Sequence, residues 1–327
     1  MRERVLIVGG SGYVGQHLCR DLPKILGTEN YEFFSTYHSS DVFSAHPDIF
    51  PSIQKAFKIS LDDENYAQII ALVRDLKPNF IVNPAAVSAV QQCQTDPDSA
   101  YRINDPSEWA AAAFNIGSLK KFIHFSTDMV YDGQKGPYVE EGPANPVQTM
   151  IYGLSKKRGE ENLLKKVENS AVVILRSALV IGKPSVSGSG RGSTLEWMKD
   201  AIKKATSENP AKFYSNELRT PVLADDIVRV VASTIQQYKS LPSPFVANMG
   251  GDSECSRLDI GEGLRKRLGK EEGTVTGSLQ EPLQGGIERP RDIRMKNDYL
   301  KETLGLKMCG IDESLDFIFG LSPHPYL

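Results

Sequence analysis

The sequence reads Val5-Leu-Ile-Val-Gly9-Gly-Ser-Gly12-Tyr-Val-Gly15 near its N-terminus, and this segment is the strongest indication of the architecture. A short apolar run typical of a buried strand leads into the spaced glycines Gly9, Gly12 and Gly15, where a helical pattern begins. Glycines at this spacing permit a tight turn, close approach of a pyrophosphate and close helix packing, with free amide N–H groups facing the phosphate oxygens. We therefore expect dinucleotide binding here; the alternative is a flexible turn between a strand and a helix.

Apolar runs and amphipathic stretches alternate along the first half of the chain. The strand-like runs cover residues 5–8, 80–82, 121–125 and 172–175, and the helical patterns cover 65–76, 108–115 and 155–167. This alternation predicts an α/β fold with a doubly wound parallel sheet. We expect a dinucleotide-binding domain at 1–178 with a returning segment at about 219–250. A smaller C-terminal substrate-binding domain is expected at 179–218 and 251–327, and residues 181–192 have the small, turn-forming composition of a mobile loop.

Composition and charge exclude several classes of protein. The 327 residues are 40% hydrophobic and 24% charged, which is typical of a globular chain and not of a disordered or collagen-like one. With 38 Lys and Arg against 41 Asp and Glu, there is no basic excess for binding nucleic acid. No apolar stretch is long enough for a membrane span, and the strand at 5–8 leaves no room for a signal sequence. The expected location is the cytoplasm.

Cysteine and histidine spacing argues against a metal site. The cysteines are far apart and form no CxxC pair, which favours free thiols in a reducing compartment: Cys19, Cys93, Cys255 and Cys309. The five histidines show no spacing typical of metal ligands. We therefore expect no metal.

The end of the second predicted strand bears on the choice between NADP and NAD. Strand residues 31–35 are followed by Thr36-Tyr-His-Ser-Ser40, which lacks the acidic residue that would accept hydrogen bonds from a ribose 2′-hydroxyl. This favours NADP, with NAD still open because no arginine stands there either. His38, Ser39 and Ser40 are candidate phosphate donors, and ordinary loop polarity is the alternative.

Three residues form a candidate catalytic set. Thr127 ends a predicted strand within His124-Phe-Ser-Thr-Asp128, and Tyr152 and Lys156 are four residues apart on a predicted helix. That spacing places the phenol and the ammonium on one helix face. A nearby ammonium lowers the pKa of a phenol, so the tyrosine can act as a general acid or base. A solvated helix face is the alternative for an isolated Tyr-x-x-x-Lys pattern.

Several segments together resemble the extended short-chain dehydrogenase/reductases. More narrowly, they are similar to the dTDP-4-dehydrorhamnose reductase group, which also includes the regulatory beta subunit of methionine adenosyltransferase. The segments are Gly9-x-x-Gly12-x-x-Gly15, Asn83-Pro-Ala-Ala86, Ser126-Thr-Asp-Met-Val-Tyr-Asp-Gly133, Pro137-Tyr-x-Glu-Glu141, Tyr152-Gly-x-Ser-Lys156, Arg219-Thr-Pro-Val-x-x-Asp-Asp226 and Arg289-Pro-Arg-Asp-x-Arg-Met-Lys296. The resemblance thus extends over nearly the whole chain.

The resemblance implies an NAD(P)H-dependent reductase that delivers hydride to a sugar C4 carbonyl. Tyr152 would supply the proton, Lys156 would also bind the nicotinamide ribose, and Thr127 would polarise the carbonyl. Asn104 would be a structural or relay residue. Arg219 is the candidate cation for a nucleotide-sugar phosphate, with a surface ion pair as the alternative.

The candidate binding residues form two sets. Those expected at the cofactor are Gly9, Ser11, Gly12, Tyr13, Val14, Gly15, Tyr37, His38, Ser39, Leu61, Asp62, Ala85, Ala86, Val87, Asn104, Tyr152, Lys156, Ala178 and Leu179. Those expected at the substrate are Ser88, Asp128, Met129, Trp197 and Arg219. Trp197 has two interpretations, closure over a substrate or packing in the core of the smaller domain.

Some positions depart from the reductase pattern. Met129 and Leu179 stand where the rhamnose-pathway reductases tend to carry aromatic residues, which weakens stacking on a sugar ring. Residues 90–94 replace a charged stretch with neutral amides. Two functions therefore remain open: a reductase acting on a small-molecule nucleotide sugar, and a regulatory subunit that binds the dinucleotide and a protein partner without turnover. A homodimer is compatible with both.

Overall fold

The structure, a computed structural model, describes residues 2–63, 65–141, 144–186, 193–282 and 286–326. In chain order the strands are β1 (Glu3–Ile7), β2 (Tyr31–Tyr37), β3 (Ile53–Lys58), β4 (Phe80–Asn83), β5 (Lys121–Thr127), β6 (Val172–Ser177), β7 (Val180–Ile181), β8 (Ala211–Tyr214), β9 (Leu218–Arg219), β10 (Val222–Leu223), β11 (Phe245–Met249), β12 (Cys255–Ser256) and β13 (Val275–Ser278).

The α-helices lie between and after these strands. They are α1 (Tyr13–Leu26), α2 (Val42–Ala45), α3 (Ala67–Leu76), α4 (Val90–Thr95), α5 (Pro97–Asn104), α6 (Ser107–Asn115), α7 (Ile151–Lys166), α8 (Thr194–Lys204), α9 (Ala224–Gln236), α10 (Arg257–Arg267), α11 (Asp298–Leu304) and α12 (Ile311–Phe319). Short 3₁₀ turns cover Asp128–Val130 and Asn169–Ala171.

A seven-stranded parallel sheet forms the centre of the fold. Its strand order is β3-β2-β1-β4-β5-β6-β11. The order reverses between β1 and β4, and such a switch point opens a crevice at the carboxyl ends of the strands. The predicted doubly wound α/β fold is confirmed. The pattern of residues 53–58 did not predict β3, because this edge strand is half exposed and carries two lysines.

Side chains of each central strand alternate between two cores. In β1, Val5 and Ile7 pack on the side covered by α1 and α9, while Leu6 packs on the side covered by α3, α6 and α7. A strand that is buried on both faces needs apolar residues at consecutive positions. This explains why these strands are continuous apolar runs and do not alternate with polar residues.

A third core lies among the elements that follow β6. Leu195, Met198 and Ile202 of α8 pack with Phe213 of β8 and with side chains of α10 and α12. The predicted division near residue 178 stays a prediction. Of the predicted mobile loop at 181–192, Ile181 belongs to β7, and residues 187–192 lie outside the described residues. Among the helices that are described, none has the length and apolar character needed to cross a membrane.

Candidate functional site

The glycine turn joins β1 to α1 and is closely packed on two sides. Gly9 has φ +83°, and a Cβ there would lie 2.9 Å from the Cβ of Ala85. A Cβ on Gly15 would lie 2.3 Å from the carbonyl oxygen of Gly9. At Gly12, by contrast, an added Cβ would make one close contact, 3.3 Å to that same oxygen, and would meet no other described atom within 4 Å, so the rest of this side of the turn is open. The geometry leaves room for a ligand beside Gly12 and beside no other glycine of the motif.

The first turn of α1 presents backbone N–H groups to this open side. Gly12 is the N-cap residue, and no side chain caps the helix. Uncapped amides at the N-terminus of a 14-residue helix favour an anion. Ser11, Tyr13 and Val14 lie within the same turn, as expected from the sequence. The turn is therefore suited to a pyrophosphate.

The turn is fixed to β2, whose end faces solvent. The amide of Gly9 donates to Thr36 Oγ1 at 2.9 Å, and the amide of Gly10 donates to the Thr36 carbonyl at 2.8 Å. His38, Ser39 and Ser40 follow as exposed residues. Three potential donors to a phosphate thus lie next to the strand that holds the glycine turn.

The carboxylate nearest to the end of β2 belongs to Asp41, and it already has partners. It caps α2, accepting from Ser44 N at 3.1 Å and from Ser44 Oγ at 2.7 Å. The phenol of Tyr37 hydrogen-bonds to it as well. These contacts lower the pKa of Asp41, with the Ser44 hydroxyl as the largest cause. The carboxylate is thereby directed into the helix cap.

Asn104 connects the segment after β4 to α7. Its Oδ1 accepts from Val87 N at 2.9 Å, and its Nδ2 donates to Val87 O at 3.1 Å and to Ser155 Oγ at 2.9 Å. Asn104 is fully buried. Through these bonds it sets residues 85–87 against the helix that carries Tyr152 and Lys156. The contacts describe a structural role for Asn104.

Thr127 and Tyr152 meet at the end of β5. The Thr127 hydroxyl donates to Asp128 Oδ1 at 3.0 Å and accepts from Met129 N at 3.2 Å, and it lies close enough to the phenol of Tyr152 to affect its pKa. Burial raises the pKa of Tyr152 above its usual value, and the charge of Asp128 adds to the shift. The sequence led us to expect a pKa lowered by Lys156. In this structure the shift has the opposite sign, because desolvation dominates.

The ammonium of Lys156 has a different partner. Its Nζ lies 3.1 Å from Nε2 of His124, and the side chain is 1% exposed. Burial lowers the pKa of Lys156 to about 7, against the opposing charges of Glu160, Asp105 and Cys93. Sequence reasoning gave His124 no role. Its position between apolar Ile123 and Phe125, inside a strand that is buried along its whole length, was the available signal.

Arg219 lies inside the protein and not on its surface. It is 2% exposed, and its guanidinium donates to the backbone carbonyls of Leu218, Pro290 and Arg291 at 2.7–2.9 Å. Burial raises the pKa of Asp128 to about 6, an effect that the positive charge of Arg219 opposes. Arg219 is therefore placed electrostatically near Asp128, although backbone carbonyls occupy its donors.

Two further arginines, to which sequence reasoning gave no role in the site, lie around Glu217. Its carboxylate lies 2.6 Å from Arg257, 3.4 Å from Arg219 and 3.6 Å from Arg289. Glu217 is 1% exposed, and desolvation raises its pKa less than the arginines lower it. Nε of Arg289 has no hydrogen-bond partner within the described part of the chain. Three positive charges around one carboxylate leave a local excess that suits an anion.

The remaining residues expected at the site differ in how far they are buried and in what they contact. Asp62 pairs with Arg102 at 2.8 Å and accepts from Ser99 Oγ at 3.0 Å, and Leu61 beside it is partly buried. Ala86 is half-buried and Ser88 is exposed. Trp197 is 57% exposed and packs edge-to-face on Phe213, with 5.8 Å between ring centres. The indole thus covers part of the third core while much of it faces solvent.

The two positions that depart from the reductase pattern lie in apolar surroundings. Met129 packs against the core on the α1 side of the sheet, and Leu179 packs against the third core. The Leu179 carbonyl accepts from Val222 N at 2.9 Å, while Ala178 N donates to Met249 O at 3.1 Å. Residues 178 and 179 are thus held by the neighbouring backbone.

Within the described part of the chain, two groups of side chains come close enough to share a metal ion, and each already lies against an arginine. In the first, Asp226, Cys309 and His324 are buried together, but Arg229 contacts Asp226 at 2.6 Å. His324 Nδ1 accepts from Tyr326 N at 3.1 Å, so in the neutral ring the proton is on the Nε2 that faces Asp226. In the second group, His17, Asp21 and Asp225 surround the guanidinium of Arg20.

Known proteins are similar to this chain in sequence and in architecture. The dTDP-4-dehydrorhamnose reductase of Sinorhizobium fredii is 26% identical over 257 residues, covering 75% of this chain and 81% of that protein. Methionine adenosyltransferase 2 subunit beta of Bos taurus is 25% identical over 323 residues, covering 96% of this chain and 87% of that protein. Among solved structures, the dTDP-4-dehydrorhamnose reductase of Bacillus anthracis in complex with NADP superposes with a TM-score of 0.77 at 20% identity, covering 98% of this chain and all of that one.

The last structure supports the fold, and the two relatives match at the level of sequence. The family model described as RmlD substrate binding domain matches residues 2–319, nearly the entire chain. The resemblance seen in the motifs is therefore confirmed, and the protein belongs to the RmlD substrate binding domain family.

Proposed function

We propose that the protein is an NADPH-dependent reductase of a nucleotide-linked 4-keto-deoxysugar or a related carbonyl compound. The observation that carries this proposal is the placement of Tyr152 beside Thr127 at the carboxyl end of β5, near the switch point of the sheet, with Lys156 four residues further along α7. The family match and the reductase of Sinorhizobium fredii support it. Residues 1–178 and 219–250 would bind the dinucleotide, and the rest of the chain would bind the substrate.

NADP fits the described residues better than NAD. The open side of Gly12 and the uncapped first turn of α1 suit the pyrophosphate. Exposed His38 and Ser39 suit a 2′-phosphate, while the Asp41 carboxylate is engaged in capping α2. The Asp41 carboxylate is therefore not poised to accept from a ribose diol.

In this proposal each catalytic side chain has one task. NADPH, when bound, supplies the hydride. Thr127 orients the carbonyl oxygen, and the phenol of Tyr152 donates the proton that this oxygen gains. The raised pKa of Tyr152 keeps the phenol protonated at neutral pH, so it is ready to act as an acid. Lys156 provides a positive charge that favours the phenolate left after proton transfer.

The arginines around Glu217 support a substrate that carries phosphate. Arg219, Arg257 and Arg289 give this cluster a positive excess next to Asp128. We assign Arg289 as a phosphate ligand in preference to Arg219, because its Nε lacks a partner among the described residues while the donors of Arg219 are held by carbonyls. Arg289→Met should raise KM for a nucleotide sugar and leave NADPH affinity unchanged.

The direct test is consumption of NADPH with a panel of nucleotide 4-ketosugars, with NADH in parallel. We expect turnover with at least one member, and tighter binding of NADPH than of NADH in calorimetry. Tyr152→Phe serves as the control for non-enzymatic oxidation. If NADH binds clearly more tightly, the assignment of the β2 end is wrong.

The second candidate is a regulatory subunit that binds NADP and a protein partner without turnover. It is favoured by the similarity to methionine adenosyltransferase 2 subunit beta over 96% of this chain. The apolar setting of Met129 and Leu179 agrees with the loss of a sugar-stacking surface. NADP-dependent stabilisation with no turnover on the whole panel, together with binding to a methionine adenosyltransferase catalytic subunit, would establish this role instead.

A further inference from the structure

His124 and Asn83 form a buried polar pair beneath the proposed active site. They are register partners on neighbouring strands, Asn83 at the end of β4 and His124 inside β5. His124 Nδ1 lies 3.3 Å from the side-chain amide of Asn83, and its Nε2 lies 3.1 Å from Lys156 Nζ. Both residues are fully buried. Such polar groups are costly to bury unless their hydrogen bonds are satisfied, so their placement requires an explanation.

From this geometry we propose that His124, fixed by Asn83, is a positioning residue that holds the Lys156 ammonium through a neutral imidazole acceptor. The proposal rests on the function proposed above and adds two residues to its machinery. An ammonium has three N–H donors. When one N–H of Lys156 donates to His124, the other two remain for the hydroxyl groups of the nicotinamide ribose. The hydrogen bond to His124 fixes the position of the nitrogen.

The tautomer of His124 follows from its two neighbours. If Nε2 accepts from the ammonium, the ring proton must be on Nδ1, which faces Asn83. The Oδ1 of Asn83 has no partner within the described residues. The Asn83 atom that lies on Nδ1 is the amide nitrogen Nδ2. Turning the amide by about 180° brings Oδ1 onto Nδ1–H and places Nδ2 where Oδ1 was. The opposite tautomer would point an N–H at the ammonium, so a charged Lys156 is compatible with the first arrangement alone.

A neutral acceptor preserves the charge that the reaction uses. Burial and the charge of Lys156 hold the pKa of His124 well below its usual value, so the ring stays uncharged. A carboxylate in its place would cancel the field of the ammonium at the phenol. The titratable groups that face Lys156 are Cys93 from α4, Asp105 after α5 and Glu160 on α7. Their effect on the pKa of Lys156 must be kept constant in any test.

The first arm of the test uses the free protein and needs no substrate. Nitrogen-15 NMR of the histidine side chains reports the tautomer, and we expect His124 with Nδ1 protonated and Nε2 unprotonated. Carbon-13 NMR of the lysine side chains reports the pKa of Lys156. His124→Leu, which keeps bulk but removes the acceptor, should lower that pKa by about one pH unit. His124→Gln, whose amide oxygen reaches the same region, should restore most of it.

A matched core variant separates positioning from packing. Phe122 lies two residues earlier on β5, is fully buried and packs edge-to-face on Trp109. Phe122→Leu should lower the melting temperature without moving the pKa of Lys156. If His124→Leu does not fold, the tautomer in the unmodified protein decides the question. A protonated Nε2, or a Lys156 pKa unchanged in His124→Leu, overturns the proposal.

The second arm connects the pair to cofactor binding. At pH 7 the dissociation constant for NADPH should rise roughly fivefold in His124→Leu, because a Lys156 pKa lowered from about 7 by about one unit leaves about a fifth of the ammonium to bind the ribose. In His124→Gln it should stay near the original value. Equal affinity of both variants for NADPH overturns the proposal. If the unmodified protein binds no NADPH, the proposed function fails, and the tautomer and Lys156 titration still decide whether His124 positions the lysine.

Discussion

An added side chain would contact different atoms at Gly12 and at Gly15. We therefore expect substitution of Gly12 to affect cofactor binding and substitution of Gly15 to affect stability. At Gly12 the nearest atom to a new Cβ is 3.3 Å away, and the backbone has φ −73°, which any L-residue adopts. Gly12→Val should therefore fold, at a cost of about 1 kcal/mol for a poor N-cap residue. Its methyl groups would fill the space proposed for the pyrophosphate, so NADPH binding should be lost.

The size of the effect follows from chain length. A chain of 327 residues unfolds with an entropy of about 0.7 kcal/mol/K, taking about 2.1 cal/mol/K per residue. NADPH at about 100 times its dissociation constant stabilises the native state by about 2.7 kcal/mol, which raises the melting temperature by about 4 °C. For Gly12→Val the rise should fall below about 1 °C, while the variant alone melts only about 1–2 °C lower.

Gly15→Ala is the matched control. Its Cβ would lie 2.3 Å from the Gly9 carbonyl oxygen and 2.6 Å from the Gly10 Cα, so the helix must shift. We expect a loss of about 3 kcal/mol, or about 4 °C, without ligand. Differential scanning fluorimetry with and without NADPH measures all three proteins. An undiminished NADPH shift in Gly12→Val, or a loss of its intrinsic stability equal to that of Gly15→Ala, would refute the reasoning.

Three further predictions concern the phenol, a buried carboxyl and a buried ion pair. Tyr152→Phe should lower turnover by about 100 to 10,000-fold with little change in NADPH affinity, and equal NADPH consumption would show that Tyr152 is not the acid. Because burial raises the pKa of Asp128 to about 6, above its unfolded value of about 3.9, its contribution to stability is present below pH 4 and is lost as pH rises through 6. In urea unfolding, the free energy of unfolding of Asp128→Asn should therefore increase relative to that of the unmodified protein by up to about 3 kcal/mol between pH 4 and pH 7. A difference between the two proteins that does not change with pH would contradict this. Glu160 pairs with buried Arg176 at 2.8 Å, so Glu160→Gln should lower the free energy of unfolding in urea by about 3–5 kcal/mol. Glu161 pairs with Lys157 at 3.5 Å on the surface of α7, so Glu161→Gln should lower it by under about 1 kcal/mol, and similar losses in the two variants would argue against a buried pair.

Local chemistry was enough to predict the central fold. Residues 5–8, 80–82, 121–125 and 172–175 correspond to β1, β4, β5 and β6, because strands buried on both faces are continuously apolar. The turn between β1 and α1 was predictable because the glycines, the strand before them and the helix after them are all recognisable in the local sequence. The motifs around Thr127 and Tyr152 likewise indicated the family that the comparisons confirm.

Contacts between distant segments were decided by the tertiary structure alone. Sequence spacing places Lys156 on the same helix face as Tyr152, yet only the packing of α7 on the sheet sets its ammonium against His124. The same holds for Glu217 and Arg289, which are far apart in sequence and meet in one buried cluster. The sign of the Tyr152 pKa shift depends on burial, which spacing does not contain. Helix and strand periodicities are local properties, whereas desolvation and ion pairing depend on which surfaces meet after folding.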